Sequence, residues 1–376
     1  MRALFRNTFS AAMRLDIRLL EYALAKAPAA LPLTGQDGAS TVQCMGIVSK
    51  IACVVLLSAS SVFLGATNVI FDTDMGNDID DVVALTMLYK YCGEGSARLL
   101  AVATNKDHPN SAEFLRIMNA HYGHAGTPVC VGKTEKTKWD KLFCTPVCAM
   151  KDSNGNPKFP RADASVVREA VKGLREALSK APDNSVVYIS VGFSSNIAAL
   201  MESEADEHSP LGGRDLAAKK IKMFSVMGGN FSDANYREYN VAGDIPAAKK
   251  FFGNPPSDIV FAGYEIGMQT FYPLGRAEEF LGKDNPAAAA CAAFMSNTGE
   301  KGSTARLRPN WDPSAVLAAV EPEYFEYSPK GDVFVGSGGE TSFKQNPKGK
   351  CYFIMPLDKE GAKKVSERIM LKASGM

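Results

Sequence analysis

The chain alternates short apolar runs with longer segments in which apolar residues recur at helical spacing. The first apolar runs are NVIFD, LLAVAT, PVCVG, SVVYISV and IKMFSVMGG, and the segments between them include DVVALTMLYKY, SAEFLRIMNAHYG and ASVVREAVKGLREALSK. Near-continuous hydrophobicity is typical of parallel strands that are buried on both faces. The pattern therefore predicts an α/β fold, with a doubly wound, mostly parallel sheet and helices on both faces.

The C-terminal part of the pattern differs from the rest. Hairpin-like stretches run from Tyr324 to Pro356, and a last helix is predicted near residues 359–371. No internal repeat and no linker divides the sequence after residue 66. Residues 67–376 are therefore expected to form one domain, since a chain of this length can enclose a single large α/β core.

Residues 1–66 are interpreted as a separate extension. From Met45 the sequence MGIVSKIACVVLLSASSVFLGA has one lysine before an apolar stretch, which is the order of a secretory signal peptide with Ala66 at a candidate cleavage site. A retained membrane anchor is the alternative, but serines interrupt the run, and a spanning helix needs about 20 apolar residues. We therefore expect an exported protein, periplasmic or secreted, without a stable membrane span. Met45 is a candidate initiator, and a transit-like extension over 1–44 is the other interpretation.

The amino-acid composition and charge bear on which classes of partner the protein can bind. The 376 residues are 46% apolar and 22% charged, with a net charge of +1, as in an ordinary globular protein. The lysine-containing stretches 133–141 and 344–350 are short and mixed with turn residues, so they are interpreted as solvated loops. No nucleic-acid partner is expected, because such a partner would call for a basic excess or a clustered basic stripe.

Polar residues gather where the predicted strands end. In doubly wound sheets ligands bind outside the carboxyl ends of the strands, so the residues just after each apolar run are candidates for a site. These are Asp72 to Asp81, Asn105 to His108, Val191 to Asn196, Met227 to Asn240 and Arg308 to Asp312. Acids and amides dominate the set, and the segment VMGGN is too short for a dinucleotide-binding glycine loop.

The sequence FDTDMGNDIDDVVALTMLY places five carboxylates within ten residues, between two elements that are predicted to be buried. Helix capping explains one or two of them. An EF-hand loop counted from Asp72 would need Gly and Glu where Asn77 and Val83 stand. A haloacid-dehalogenase-type phosphatase would have Gly-Thr or Gly-Val after Asp74, where Met75 stands. The remaining interpretation is a calcium site, in which a hard cation acidifies a water and a carboxylate takes the proton.

The same stretch resembles the D-x-D-x-G-x-D-D signature of the nucleoside hydrolases, the inosine-uridine-preferring ribohydrolase family, in a form with two extra residues before the last Asp pair. Further segments resemble that family in the same order, namely VGFSSNIAAL, SVMGGN, REYNVAGDIPAA and NWDPSAV. The resemblance implies the fold of that family and calcium-dependent hydrolysis of an N-glycosidic bond.

The resemblance also implies roles for individual residues. The calcium ligands that it implies are Asp74, Asp81, Asp312 and the backbone carbonyl of Val191. Asp74 would also be the general base. The residues that it assigns to the substrate are Asp80, Asn105, Glu238 and Asn240. Two choices stay open: whether Asp78 or Asp80 contacts the ribose, and whether Asn230 or Asn235 makes a further sugar contact.

The chain departs from the family at the residue before Asp312. Family members usually carry a His there, which protonates the departing base, whereas this chain has Trp311. Trp311 is expected to stack on the nucleobase, and a core or rim aromatic is the alternative. His108 is a candidate proton donor or a cap of the next helix, and Trp139 is a candidate base contact or a surface anchor.

Two functions are consistent with these residues. The first is calcium-dependent hydrolysis of a ribonucleoside, or a related N-riboside, to ribose and free base, as in purine salvage. The alternative is a catalytically weak nucleoside- or sugar-binding protein that retains the metal site. A small-molecule nucleoside is the expected partner of both, and a homo-oligomer, a dimer or a tetramer, is compatible with either.

Overall fold

The computed structural model describes residues 65–106, 108–132, 142–298 and 306–375. All of them belong to one unit of the chain, Leu64–Met376. The predicted extension lies outside the described residues except for its last two, Gly65 and Ala66, and Trp139 lies outside them as well.

Ten of the described strands form one sheet. In sheet order they are β11 (Thr341–Gln345), β10 (Gly331–Val335), β12 (Cys351–Phe353), β7 (Asp258–Ala262), β6 (Ile221–Met227), β5 (Val186–Ser190), β1 (Thr67–Thr73), β2 (Ala97–Thr104), β3 (Val129–Val131) and β4 (Val167–Glu169). The strands from β12 to β4 pair in parallel, whereas β10 pairs antiparallel with both β11 and β12. Two short strands, β8 (Phe271–Tyr272) and β9 (Arg308–Pro309), form a separate antiparallel pair.

The helices connect these strands. Those described are α1 (Asp80–Gly93), α2 (Pro109–His121), α3 (Cys144–Ala149), α4 (Ala170–Lys180), α5 (Ser195–Glu202), α6 (Gly213–Lys220), α7 (Tyr239–Gly243), α8 (Ile245–Gly253), α9 (Tyr264–Gly267), α10 (Ala277–Leu281), α11 (Pro286–Asn297), α12 (Trp311–Val320) and α13 (Lys359–Ala373). Short 3₁₀ turns lie at Ala164–Val166, Leu274–Arg276 and Pro322–Tyr324.

Helices cover both faces of the sheet. Successive side chains of a strand point to opposite faces, so Phe71 of β1 lies in one hydrophobic core and Ile70 in the other. Helices α1, α12 and α13 contribute buried residues to the first core, and α4, α5, α6 and α8 contribute to the second. The doubly wound, mostly parallel fold predicted from the sequence is confirmed, as are the C-terminal hairpin (β10 with β11) and the last helix, α13.

The winding order places a site at one point of the sheet. From β1 the chain moves to β2, β3 and β4 on one side, and it then returns to β5 on the other side and continues to β6 and β7. The strand order therefore reverses between β1 and β5, whose last paired residues are Asp72 and Ser190. In an open α/β sheet this reversal opens a crevice at the carboxyl ends of the two strands.

Within the part of the chain that the structure describes, no helix has both the length and the apolar character that crossing a bilayer requires.

Candidate active site

A cavity of about 490 Å³ opens at the point where the strand order reverses. Its lining comes from the ends of β1, β5 and β6, from the starts of α1, α7, α9 and α12, and from adjoining loops. The lining residues are Asp74, Asn77, Asp78, Asp80, Asp81, Leu142, Val191, Met227, Tyr236, Glu238, Tyr239, Asn240, Tyr264, Trp311 and Asp312. Acids and amides from distant parts of the sequence therefore meet in one place. This is the place predicted from the sequence, outside the carboxyl ends of the strands.

The acidic stretch reaches the cavity through a tight turn between β1 and α1. Gly76 has a φ of 117°, a region that residues with a Cβ rarely adopt. The turn places Asp80 and Asp81 in the first turn of α1, where the free N–H groups of the helix favour negative charge. The glycine of the motif thus brings the acids that follow β1 together with those that begin α1.

Asp72, the first acid of the stretch, lies beneath the cavity and does not line it. Its carboxylate accepts hydrogen bonds from the Tyr188 hydroxyl at 2.8 Å and from the amide groups of Asn196 at 2.9 Å and Asn105 at 3.4 Å. Burial raises the pKa of Asp72 to about 7, although the bonds from Tyr188 and Asn196 oppose this shift. Asp72 therefore links β1 to β5, to α5 and to the residue that follows β2.

Gly192 lets the strand ends approach each other. A Cβ at this position would lie 2.5 Å from the backbone nitrogen of Asp74 and 2.8 Å from the Asn105 amide nitrogen. Asn105 also donates to the Phe193 carbonyl at 2.8 Å. Asn105, predicted as a substrate residue, is buried and lies outside the cavity lining. Its contacts here are with the chain itself, and its substrate role stays a prediction.

Three buried carboxylates form an acid cluster, Asp80, Asp81 and Asp312. One carboxylate oxygen of each lies within 4.8 Å of the others. Burial raises the pKa of all three well above the usual range, and the charges of the neighbouring acids raise it further. Within the described residues their hydrogen-bond donors include the Thr73 hydroxyl for Asp81 and the Asp312 backbone N–H, at 3.1 Å, for Asp80.

The acid cluster fits a hard divalent cation. Such cations take oxygen ligands, and the cluster offers only carboxylates. A bound cation would also offset the repulsion among three acids that burial leaves with little solvent. Asp81 and Asp312 were predicted as ligands, whereas Asp80 was assigned to the ribose. The geometry groups Asp80 with the other two.

Asp74, the predicted general base, lines the cavity beside the acid cluster. Its charge is one of the causes that raise the pKa of Asp81 and Asp312. Burial raises the pKa of Asp74 itself to about 6, and a hydrogen bond from the Asn77 amide opposes this. Val191, whose carbonyl was predicted as a ligand, also lines the cavity, and this carbonyl accepts from the Asn240 amide at 3.1 Å.

Glu238 and Asn240 line the cavity at the start of α7. The Glu238 carboxylate accepts from the backbone N–H of Asn240 at 2.8 Å and from those of Gly229 and Val241 at 3.1 Å. Burial raises the pKa of Glu238 to about 7, against the effect of these three bonds. Both predicted sugar-binding side chains are therefore held in place at the cavity surface.

Three aromatic residues, Tyr236, Tyr264 and Trp311, form a wall of the cavity. The Tyr264 ring stacks on Trp311 with centroids 5.5 Å apart, and on Tyr236 at 4.3 Å. The Trp311 indole N–H donates to the Tyr264 carbonyl at 3.1 Å. Sequence reasoning found only Trp311. Tyr264 directly follows the apolar run DIVFAG, and Tyr236 lies within the strand-end segment Met227 to Asn240, so both follow predicted strands, although neither was singled out.

An ion pair links the acidic stretch to this aromatic wall. The Arg308 guanidinium binds both carboxylate oxygens of Asp78, with its Nε at 2.8 Å from Oδ1. The same guanidinium lies 5.5 Å from the Trp311 ring and 5.2 Å from the Phe294 ring. Asp78, the alternative to Asp80 for the ribose contact, is therefore held by Arg308 at the cavity.

Two further predicted residues lie away from the cavity lining. His108 caps α2, where its Nδ1 accepts from the Asn110 backbone N–H at 3.1 Å. The Asn230 side chain accepts from the backbone N–H groups of Ser232 and Asp233, at 2.9 and 2.8 Å. Neither contact involves a ligand, so the predicted roles of His108 and Asn230 stay predictions. The same is true of Trp139, outside the described residues.

Known structures share this fold. A plant nucleoside hydrolase, PpNRh1, is 20% identical, with 82% of this chain and 99% of that chain covered and a TM-score of 0.63. A purine-preferring ribonucleoside hydrolase from Gardnerella vaginalis is 18% identical, with coverage of 82% and 98% and a TM-score of 0.62. An inosine-uridine preferring nucleoside hydrolase from Bacillus anthracis is 15% identical, with coverage of 82% and 100% and a TM-score of 0.60.

Sequence comparison gives the family directly. No curated protein matches the chain. The sequence profile described as "Inosine-uridine preferring nucleoside hydrolase" matches residues 69–365, which include the acidic stretch, the acid cluster and the aromatic wall. The chain therefore belongs to the inosine-uridine preferring nucleoside hydrolase family, whose members are hydrolases that act on N-glycosyl bonds.

Proposed function

We propose that the protein hydrolyses the N-glycosidic bond of a ribonucleoside, or a related N-riboside, to ribose and free base, and that calcium is its cofactor. The observation that carries this proposal is the mixed lining of one cavity. Carboxylates and amides line it together with three stacked aromatic rings. A polar sugar and a flat apolar base need these two environments side by side.

The acidic part of the cavity suits the chemistry of the sugar. Breaking an N-glycosidic bond develops positive charge on the ribose, and nearby carboxylates stabilise that charge. Glu238 and Asn240 lie where they can bind ribose hydroxyls, and Asp80 is a third candidate. Because backbone N–H groups fix the Glu238 carboxylate, it offers its hydrogen-bonding capacity in a set direction.

Asp74 is proposed as the general base that takes a proton from the attacking water. In the chain without a cation, burial raises the pKa of Asp74 to about 6, and a bound cation would lower it, so its carboxylate is ionised at neutral pH and can accept a proton. Calcium, bound by Asp74, Asp81, Asp312 and the Val191 carbonyl, would hold that water and lower its pKa. The acid cluster supports this ligand set through Asp81 and Asp312, and Asp80 lies next to them.

The aromatic wall is proposed to bind the base. Stacking of a base on an aromatic side chain contributes about 1 to 3 kcal/mol, and it requires only a flat apolar partner. Among the described residues that line the cavity none is a histidine, so the wall offers stacking instead of the usual imidazole acid. A donor such as His108, or a water, would then be needed to protonate the base.

A panel of ribonucleosides incubated with the purified protein and calcium tests the proposal, with release of free ribose as the readout. We expect turnover of at least one member and its loss after chelation. Calcium-dependent binding without turnover of any member would instead support the alternative, a nucleoside-binding protein that retains the metal site.

We also propose that the protein is exported, on the basis of the signal-like sequence before residue 67. N-terminal sequencing of the protein from its native host should find a mature chain that starts between residues 61 and 68. A recovered chain that starts at Met1 or Met45 would contradict export by cleavage.

A further inference from the structure

Lys106 is a wholly buried lysine next to the predicted general base. It follows the end of β2, and its Nζ donates a hydrogen bond to the side-chain oxygen of Asn77 at 2.9 Å. Asn77 lines the cavity, and its side-chain N–H₂ group donates to Oδ2 of Asp74. Lys106 is thus connected through one amide to the carboxylate that is proposed to activate water.

The direction of this chain of hydrogen bonds is fixed by chemistry. An ammonium group can only donate, so it binds the oxygen end of the Asn77 amide. The N–H₂ end of the amide must then face Asp74, and a carboxylate can only accept. Asp74 and Lys106 therefore favour the same orientation of the Asn77 amide, one at each end. Lys106 thus reinforces the orientation in which Asn77 binds Asp74.

Charge supports the same arrangement. A buried lysine is costly unless negative charge lies close to it, and here the charge of Lys106 acts on Asp74. The Lys106 charge and the Asn77 hydrogen bond both lower the pKa of Asp74, against the larger effect of burial. Asn77 belongs to residues 77–79, the stretch that is longer here than in the D-x-D-x-G-x-D-D signature.

We propose that Lys106 and Asn77 are positioning residues that fix the carboxylate of Asp74 for cation binding and for deprotonation of water. The second of these tasks rests on the proposed function, whereas the first requires only the cation. Because Asn77 takes one oxygen of Asp74, the other oxygen is the one left for the cation and the water. Lys106 is joined to Asp74 through Asn77 and also acts on it by charge, so removal of either side chain should disturb the same carboxylate, and the two effects should be coupled.

A double-mutant cycle tests this dependence, with Lys106→Met, Asn77→Leu and the double variant. The first readout is calcium affinity, measured by titration calorimetry on chelator-treated protein, and the second is kcat and KM on the nucleoside that the wild type hydrolyses best. Loss of groups that orient metal ligands typically lowers affinity or activity about 10- to 100-fold, and we expect that loss in each single variant, mainly in kcat. The double variant should lose clearly less than the product of the two single losses, because neighbours in one network are not additive.

Lys372→Met is the matched control. Lys372 is also a buried lysine, on α13, where its Nζ binds Glu94 and lies 4.7 Å from the Tyr91 ring centre, away from the cavity. Its loss should lower the melting temperature but leave calcium affinity and kcat at wild-type values. If Lys106→Met does not fold, Lys106→Gln, which is polar and shorter, replaces it in the cycle.

The outcomes separate this inference from the proposed function. Losses that multiply in the double variant, or single variants within about threefold of wild type on both readouts, would overturn the positioning role. Coupled losses of calcium affinity in a protein that hydrolyses no ribonucleoside would instead support the positioning role and refute the proposed function.

Discussion

Asp72 and the acid cluster are buried carboxylates at the same end of the sheet, but their surroundings differ. Three side chains on neighbouring elements, Tyr188, Asn196 and Asn105, donate hydrogen bonds to Asp72. In the acid cluster the carboxylates lie against one another, and neighbouring acids are the main electrostatic influence besides burial. Donors from the protein stabilise the first carboxylate, whereas the second group requires a positive partner from outside the chain.

This difference indicates a structural role for Asp72 and a cation-binding role for the acid cluster, although acids of both groups belong to one sequence motif. A buried carboxylate that has enough donors is stable without a ligand, and its removal should affect folding more than function. Buried carboxylates that repel one another keep their place only if a cation or protons neutralise them. The acid cluster should therefore destabilise the fold when no cation is bound, and the same repulsion should favour cation binding.

The largest expected effect is that of Asp312→Ala. The variant should contain no calcium, and turnover should fall by more than about 10,000-fold, because the general base, worth about 3 to 5 kcal/mol, acts on a water that the cation holds. Metal analysis and ribose release measure the two effects, and chelation of the wild type should reproduce them. Asp258→Ala removes a carboxylate that pairs with Lys330 away from the cavity, and it serves as the control. If Asp312→Ala kept its calcium, Asp312 would not be a calcium ligand, and the proposed contrast between the acid cluster and Asp72 would be wrong.

The next largest effect is expected for Asp74→Asn. This change keeps the side-chain volume but removes the base, so kcat should fall about 100- to 10,000-fold while the protein still folds. Ribose affinity, measured by calorimetry, should fall much less than kcat, because Glu238 and Asn240 are intact. A variant with near-normal kcat would show that another residue takes the proton from water.

A smaller effect of a different kind is expected for Asp72→Ala. The change leaves buried donors on Tyr188, Asn196 and Asn105 without their acceptor, which should lower the free energy of unfolding by about 2 to 4 kcal/mol. Urea denaturation measures this loss, and calcium content should stay at the wild-type level. Tyr188→Phe removes one donor of the three, and it should lower the free energy of unfolding by only about 1 kcal/mol. Loss of calcium without loss of stability would assign Asp72 to the metal site instead.

The sequence predicted the fold and the position of the site because both depend on short-range patterns. Apolar runs identify buried parallel strands, and the winding order then brings the strand ends together. The different surroundings of Asp72 and the acid cluster could not be predicted, because the donors Tyr188 and Asn196 come from β5 and α5, more than 100 residues away. Two rings of the aromatic wall were missed for the same reason: Tyr236 stacks on Tyr264, and Tyr264 on Trp311, from three separate segments of the chain.

The smallest effect is expected at the aromatic wall, where Trp311→Ala tests how the base departs. Loss of stacking should cost about 1 to 3 kcal/mol, or roughly 5- to 150-fold in kcat/KM, for inosine or adenosine. A nitrophenyl riboside should be affected far less, because its leaving group departs as a stable anion and needs no stacked ring or proton. His108→Ala should show the same asymmetry if His108 donates the proton, and no effect if it only caps α2, where it accepts the Asn110 N–H. Equal losses on both substrates in Trp311→Ala would mean that the ring supports the cavity, through its stacking on Tyr264, rather than the departing base.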